Sequence, residues 1–194
     1  MDGSDPHVLI LSGWQGDRRP DHWTGRWPQR HGHHWVQQHD WQRPLRGDWL
    51  MRLEETVLDL SGPIVLVGHG LGCHLAAAWA VHSRQANRVL AALLVDPLDV
   101  LSEPWLSRLP SWHEVALQPL PFRSRVLAPA LAGQPAIDQA RQWASAWGAR
   151  WLEPSTADFS HGPDADWPEG HALLQELIKD NTWSPRNPKA SVAA

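Results

Sequence analysis

The clearest chemical pattern in this 194-residue chain is the turn Gly68-His69-Gly70-Leu71-Gly72. Its spacing is that of G-x-S-x-G, a strained turn between a strand and a helix that holds a serine nucleophile above the edge of a sheet. Glycine occupies the serine position, so Gly70 supplies no hydroxyl that could attack a carbonyl carbon. We expect Gly68 and Gly72 to lie where a Cβ would clash, and Gly70 to have a positive φ.

The residues on either side of this turn predict a strand and a helix. Residues 63–67 are a branched-aliphatic run typical of a parallel strand covered on both faces, and the Ala-rich residues 71–81 favour a helix. A glycine-rich turn before a helix can also bind phosphate, but the spacing is not G-x-G-x-x-G and no acidic residue stands at a ribose-binding position. A turn that serves packing alone is a third interpretation.

Four other residues could contribute chemistry near this turn. Ser12 follows the first apolar run and is either a turn residue or a substitute nucleophile. Asp96 ends a buried strand, where it would act in a site or cap the next turn. Cys73 is predicted to be a buried thiol facing the sheet, and His161 is either a displaced base or a loop histidine.

The histidines at positions 31, 33, 34 and 39 raise the question of a metal site. They flank a loop and a weak strand, and they have neither C-x-x-C nor H-E-x-x-H spacing. We therefore do not expect a zinc site at these histidines.

Apolar runs alternate with helical patterns along the chain. Strands are predicted at 7–11, 34–37, 63–67, 89–95, 125–130 and 150–152. Helices are predicted at 21–27 with Asp21 as N-cap, and at 48–60, 71–81, 137–147 and 168–179. The Pro-interrupted residues 98–120 are predicted to form a loop with short helical pieces over the site. This alternation predicts a three-layer α/β sandwich with a mostly parallel sheet of about six strands.

Composition narrows the classes of function. The net charge is −4 and no basic block occurs, so nucleic acid is not an expected partner. The single cysteine and the absence of an apolar leader or a membrane-length apolar run predict a cytoplasmic protein without membrane contact. We expect one domain over residues 1–183 and a frayed tail at 184–194. Most of the 14 Trp residues are predicted to pack in the core, although an aromatic ligand platform remains an alternative.

Seven short motifs run in order from Leu9 to about Leu177. They are Gly13-Trp14, Asp21-His22-Trp23 with Trp27, Asp40-Trp41 with Pro44, Gly68 to Cys73, Leu120-Pro121-Phe122, Ala146-Trp147-Gly148-Ala149 and Trp167-Pro168-Glu169-Gly170. Together these motifs resemble the small α/β-hydrolase-fold serine hydrolases related to retinoblastoma-binding protein nine. The resemblance implies a minimal hydrolase fold without a large lid domain, and esterase-like activity on small acyl substrates with no metal or organic cofactor.

The sequence departs from this family at all three positions of the implied catalytic triad. Gly70 stands at the serine position, and Gln134 before Pro135 matches the acid position after the next-to-last strand. Ala157 matches the histidine position, with His161 a few residues later. Acyl transfer by this route needs a hydroxyl, a base and a carboxylate, so the three replacements predict that catalysis by this triad is lost.

Ligand binding could outlast the loss of catalysis. Backbone N–H groups near Leu71 and Trp14 could still hold a carbonyl oxygen or an anion. Sites in parallel sheets lie beyond the carboxyl ends of the strands. The predicted ligand-binding residues at this edge are Gly13, Trp14, His69, Gly70, Leu71 and Asp96.

Three functions are consistent with the sequence. The first is a pseudohydrolase that binds a small carbonyl or carboxylate ligand, or a protein partner, without turnover. The second is an active hydrolase, or a non-hydrolytic enzyme, with a rewired site that uses Asp96, His161 or Ser12. The third is a structural or interaction role of the Trp-rich surface.

Overall fold

The structure, a computed structural model, describes residues 5–16, 22–153 and 166–180. Six parallel strands form one sheet in the order β2-β1-β3-β4-β5-β6. The strands are β1 (His7–Leu11), β2 (His34–Trp35), β3 (Ile64–His69), β4 (Val89–Val95), β5 (Arg123–Leu127) and β6 (Arg150–Trp151). The α-helices are α1 (Trp23–His31), α2 (Arg46–Leu58), α3 (Leu71–His82), α4 (Trp105–Arg108), α5 (Gln134–Ala146) and α6 (Pro168–Lys179).

The three-layer arrangement confirms the predicted fold class. Buried side chains of α2, α3 and α5 pack on one face of the sheet, and those of α1 and α6 pack on the other. The predicted strands at 7–11 and 89–95 and the predicted helix at 168–179 agree with the structure end to end. The segment between β4 and β5 contains α4 and a short 3-10 turn at Pro110–Trp112, as its prolines predict.

Several boundaries differ from the prediction. The strand predicted at 125–130 is β5, which begins earlier and ends at Leu127, because the chain turns into a 3-10 helix at Ala130–Ala132. Helix α1 continues past Pro28 to His31, although proline lacks the N–H that an interior helical hydrogen bond needs. Asp21, the predicted N-cap of α1, lies outside the described residues. The residue at that cap is His22, whose Nδ1 accepts a hydrogen bond from the Thr24 N–H.

The indole rings fill both faces of the sheet, as the composition predicts. Trp49, Trp79, Trp112 and Trp147 are buried on the α2–α3–α5 side, and three further indoles are buried on the other. Several of these rings satisfy their N–H groups with a fixed acceptor, at 2.7 Å from Trp79 Nε1 to Glu54 Oε2 and 2.8 Å from Trp147 Nε1 to the Ala116 oxygen. Each such ring adds a large apolar area and a directional hydrogen bond. None of the described helices is long and apolar enough to span a membrane.

The glycines of the turn between β3 and α3 allow close backbone contacts. A Cβ placed on Gly72 would overlap the carbonyl group of Leu11 in β1. A Cβ on Gly68 would lie 2.9 Å from the Gly72 oxygen and 3.0 Å from the Cys73 nitrogen. Gly70 has φ 55° and ψ −116°. All three glycines therefore have the roles that the sequence predicts, and the turn holds α3 directly against β1 and β3.

We expect Gly72→Ala to destabilise the protein by about 3 kcal/mol, because the new methyl group can be accommodated only if α3 moves away from β1. Gly47→Ala is the matched control. Gly47 lies in α2, and a Cβ there would meet no atom within 4 Å, so alanine should stabilise the helix by about 0.5–1 kcal/mol. Urea unfolding followed by circular dichroism measures both changes. Equal unfolding midpoints for the two variants would contradict this account of the turn.

Candidate functional site

The candidate site lies at the carboxyl edge of the sheet, where Gly70 joins β3 to α3. A Cβ built on Gly70 would have one neighbour within 4 Å among the described residues outside its immediate chain neighbours, the Gly13 Cα at 3.7 Å. That separation is an ordinary van der Waals contact. We call the backbone at Gly70, between β3 and α3, the corner. It has room for a small side chain. The positive φ of Gly70 is a conformation that any residue except glycine adopts only with strain.

One backbone N–H group at this corner lacks an acceptor within its helix. Leu71 is the first residue of α3, so its N–H has no acceptor within the helix. The loop after β1 lies close to it, since a Cβ on Gly13 would be 3.3 Å from the Leu71 nitrogen and 3.0 Å from the His69 oxygen. An N–H at a helix start, free of intrahelical bonds, can hold a carbonyl oxygen or an anion.

Hydrogen bonds fix the corner in place. The Gly70 N–H donates to the Val95 oxygen at 3.0 Å, and the Leu98 N–H donates to the Gly70 oxygen at 3.4 Å. On the other side, the Gln15 N–H donates to the Trp41 oxygen at 3.1 Å, which ties down the loop after β1. The corner is thus held by the end of β4 and the residues that follow it, and its geometry does not depend on a side chain at position 70.

A crevice of about 480 Å³ is lined by Asp96 and by Leu98, whose N–H donates to the Gly70 oxygen, so the crevice lies beside the corner although the corner residues themselves do not line it. Asp96 has φ 49°, and its N–H donates to the Leu127 oxygen at 2.8 Å. Burial raises the pKa of the Asp96 carboxyl. Burial has this effect because it disfavours the charged form of a carboxyl. The crevice is also lined by Asp99, Ser102 and Trp105.

Two histidine rings lie beside the corner on the α1 side of the sheet. The centroids of the His69 and His22 rings are 4.8 Å apart, and His69 meets Trp23 edge to face at 5.7 Å. His22 is buried, with its Nδ1 at 2.7 Å from the Thr24 hydroxyl. Sequence reasoning named His69 as a site residue but missed His22, although the Asp21-His22-Trp23 motif was a signal that could have identified it.

Two other residues considered for the site, Ser12 and Cys73, are buried. Ser12 is 2% exposed, and its hydroxyl accepts a hydrogen bond from Trp35 Nε1 at 3.0 Å. Cys73 is fully buried with Sγ 3.4 Å from the Val95 oxygen, and burial raises the pKa of its thiol well above the usual value. Ser12 is therefore a poor nucleophile, and the prediction of a buried thiol at Cys73 is confirmed.

Of the other two triad positions taken from the resemblance, the structure describes the one at Gln134. Gln134 is exposed and begins α5, where its Nε2 donates to Asp138 Oδ1 at 2.7 Å. This intrahelical contact turns the Gln134 amide toward its own helix. Ala157 and His161 lie outside the described residues. Within the described ranges, no group of three or more His, Cys, Asp or Glu side chains could hold a metal ion.

Comparisons with known proteins agree with this fold. The family model described as "Serine hydrolase" matches residues 8–176. A YdeN-like hydrolase from Pectobacterium atrosepticum is 19% identical, with 90% of this chain and 91% of that chain covered and a TM-score of 0.73. The ydeN gene product from B. subtilis is 17% identical, with coverages of 91% and 100% and a TM-score of 0.71.

A mammalian structure is similar over the same length. The α/β hydrolase domain-containing protein 10 from mouse is 16% identical, covers 92% of both chains and has a TM-score of 0.63. A sequence comparison with the curated proteins finds no match. At these identities, the structural comparisons establish a shared α/β-hydrolase fold.

Proposed function

The chain belongs to the serine hydrolase family, and from this premise we propose that it is a pseudohydrolase whose corner binds a small carbonyl ligand without turnover. The family reaction begins with attack by a serine hydroxyl, and this chain has glycine where that hydroxyl belongs. Binding needs only the backbone donors and the crevice, both of which are independent of the missing side chain.

The observation that carries this proposal is the backbone of Gly70, which has φ 55° and ψ −116°. A Cβ there would have only the Gly13 Cα, at 3.7 Å, as a described neighbour beyond the adjoining residues, and we call this space the hollow. The hollow lies against the first N–H of α3, which has no acceptor within the helix. A ligand oxygen placed there would accept a hydrogen bond from a fixed donor, with no reorganisation of the protein.

The charges beside the corner favour a neutral carbonyl over a carboxylate. The ionisable groups that line the crevice are the carboxyls of Asp96 and Asp99. An ionised ligand would be repelled by them, whereas an ester, amide or aldehyde would not.

A second candidate function is a rewired enzyme that uses Asp96. The specific observation in its favour is the position of this half-buried carboxyl in the crevice beside the corner. A carboxyl with a raised pKa is a candidate general acid or base. Ser12 cannot serve as the nucleophile of such an enzyme without leaving its buried hydrogen bond to Trp35.

We expect no labelling of the native protein by a fluorophosphonate probe, because the probe requires an activated serine and the corner has none. The measurement is in-gel fluorescence, with an active serine hydrolase in the same gel as a positive control. Labelling that persists in the parent protein and disappears in Ser12→Ala or Ser102→Ala would identify a substitute nucleophile and refute the pseudohydrolase proposal.

We expect Gly70→Ser to remain without esterase turnover, since a hydroxyl alone lacks the base that must remove its proton. Gly70→Ala is the matched control, because both variants introduce a Cβ at a positive φ, at a cost of about 1–3 kcal/mol in stability. Hydrolysis of p-nitrophenyl acetate is compared for the two variants. A rate for the serine variant about 10³-fold above that of the alanine variant would show that a base and an acid are within reach.

We expect hexanamide to bind more tightly than hexanoate, by about tenfold at pH 7, because only the carboxylate is repelled by Asp96 and Asp99. Ligand-observed NMR titrations measure both affinities. Gly70→Ala should weaken hexanamide binding by filling the hollow, whereas Gly47→Ala should leave it unchanged. Equal affinity of hexanamide for these two variants would place its binding elsewhere on the protein.

A further inference from the structure

Three histidine rings stack at the end of the sheet opposite the candidate site. The rings of His31, at the end of α1, and His171, in α6, are nearly parallel, with centroids 3.6 Å apart and planes inclined by 12°. The ring of His33 lies 5.5 Å from His31 and 5.4 Å from His171. We call these three residues the histidine cluster. It forms a direct contact between the α6 helix and the α1 helix.

Two further histidines adjoin the cluster. His7 Nδ1 and His34 Nε2 are 3.2 Å apart, so the two nitrogens share a single proton. A cavity of about 430 Å³ is lined by His7, His31, His33 and His34. Four of the five imidazoles, all except His171, therefore line one cavity, in which added positive charges would repel one another.

The surroundings of the cluster favour the neutral form of its imidazole rings. The Nε2 atoms of His33 and His171 are buried and have no hydrogen-bond partner among the described residues. A protonated imidazole donates from both nitrogens, so a proton on either ring would add a buried donor without an acceptor. The described side chains also include no group of three donors arranged for a metal ion, so the arrangement is not that of a metal site.

The charged groups around the cluster do not favour protonation. Helix α1 contributes Arg26 and Arg30, and both pair with Asp166, which precedes α6. Asp5, before β1, lines the cavity, and Gln175 of α6 lines it with an uncharged amide. The groups that face the cluster, element by element, are Arg26 and Arg30 of α1, Asp5 and His7 at β1, His34 of β2, and Asp166 and Gln175 at α6.

We propose that the histidine cluster is an acid-sensitive lock, which holds α6 on α1 at neutral pH and releases it when the cluster takes up protons. Stacked neutral imidazoles attract one another through their ring faces, whereas two stacked imidazolium ions repel at short range. The histidine cluster lies at the interface of two helices. Its protonation is therefore predicted to separate α6 from α1 and to leave the strands of the sheet paired.

The direction of the pH effect follows from the shifts in pKa. Burial lowers the pKa of His31, His33 and His171, and the neighbouring histidines lower that of His33 further, to about 4. The unfolded chain then binds more protons than the folded chain between pH 6.5 and about 4. The folded state therefore loses stability as the pH falls through this window and keeps it above pH 6.5.

Trp27 is a natural reporter of the lock. Its ring meets His171 edge to face at 5.3 Å and stacks on Trp167 at 5.8 Å with an angle of 14°. Its Nε1 also donates to the Asp166 oxygen at 2.6 Å. Separation of α6 from α1 would change all three contacts of this indole.

Hydrogen exchange at pH 7 and pH 5 tests the proposal. After correction for the intrinsic pH dependence of exchange, the amides of α6 (Pro168–Lys179) should exchange about tenfold faster at pH 5. The amides of α3 (Leu71–His82) should change far less. In the double variant His33→Gln/His171→Gln the effect on α6 should fall below about threefold, whereas His82→Gln, which alters an exposed histidine of α3, should retain the full effect.

Two results would overturn the lock. One is an α6 exchange rate that depends on pH equally in the double variant and in His82→Gln. The other comes from an NMR titration of the parent protein, which tests the proposal even if the double variant does not fold. NMR titration should show His31, His33 and His171 with pKa values below 6.5 and a Trp27 indole signal that shifts with them. If the three rings have pKa values near the usual 6.5 and the Trp27 indole signal does not change, the proposal is refuted.

Discussion

The structure depends on the close contact between the backbones of β1 and α3. Gly72 lies so near Leu11 that no larger residue fits, and Gly68 allows the first turn of α3 to fold back over the end of β3. This contact sets the position of α3 on the sheet. It also determines where the loop after β1 meets the corner, so the shape of the candidate site follows from backbone packing.

Aromatic packing then fixes the two outer layers relative to the sheet. On the α1–α6 side the rings of Trp23, Trp27 and Trp167 are in mutual contact, with centroids 4.7–5.8 Å apart. Trp23 also touches His69 next to the corner, and Trp27 touches the histidine cluster at the far end of the sheet. One layer of rings thus extends between the two edges of the sheet.

The sequence predicted the elements whose signals are local. The run at 89–95 and the helix at 168–179 were found with their full bounds, because a continuous apolar run and an initial proline are read from neighbouring residues. The extension of α1 to His31 was missed because packing of Trp27 and His31 against α6 overrides the effect of Pro28. The histidine cluster was missed for a related reason, since His171 lies far from His31 in the sequence.

The candidate site was predictable where backbone geometry decides it and less so where side chains do. The glycine frame predicted the corner, and the end of a buried strand predicted Asp96. Two details could not be predicted from the sequence. Whether the Ser12 hydroxyl is exposed depends on Trp35, which reaches it from a neighbouring strand. The direction of the Gln134 side chain depends on α5 beginning three residues before the predicted start, which brings Asp138 into range.

The preserved shape of the corner is not by itself evidence of catalysis. The contacts of Gly68 and Gly72 maintain the packing of α3 on β1 and β3 whatever residue stands between them. A serine at φ 55° would be strained, and glycine removes that strain, which is about 1–3 kcal/mol for a residue other than glycine in such a region. Under the proposed pseudohydrolase function, glycine at this position therefore stabilises the fold and supplies no hydroxyl for attack on an acyl group. Evidence for a function must come from groups that the packing does not require, and one such group is Asp96, in the crevice beside the corner.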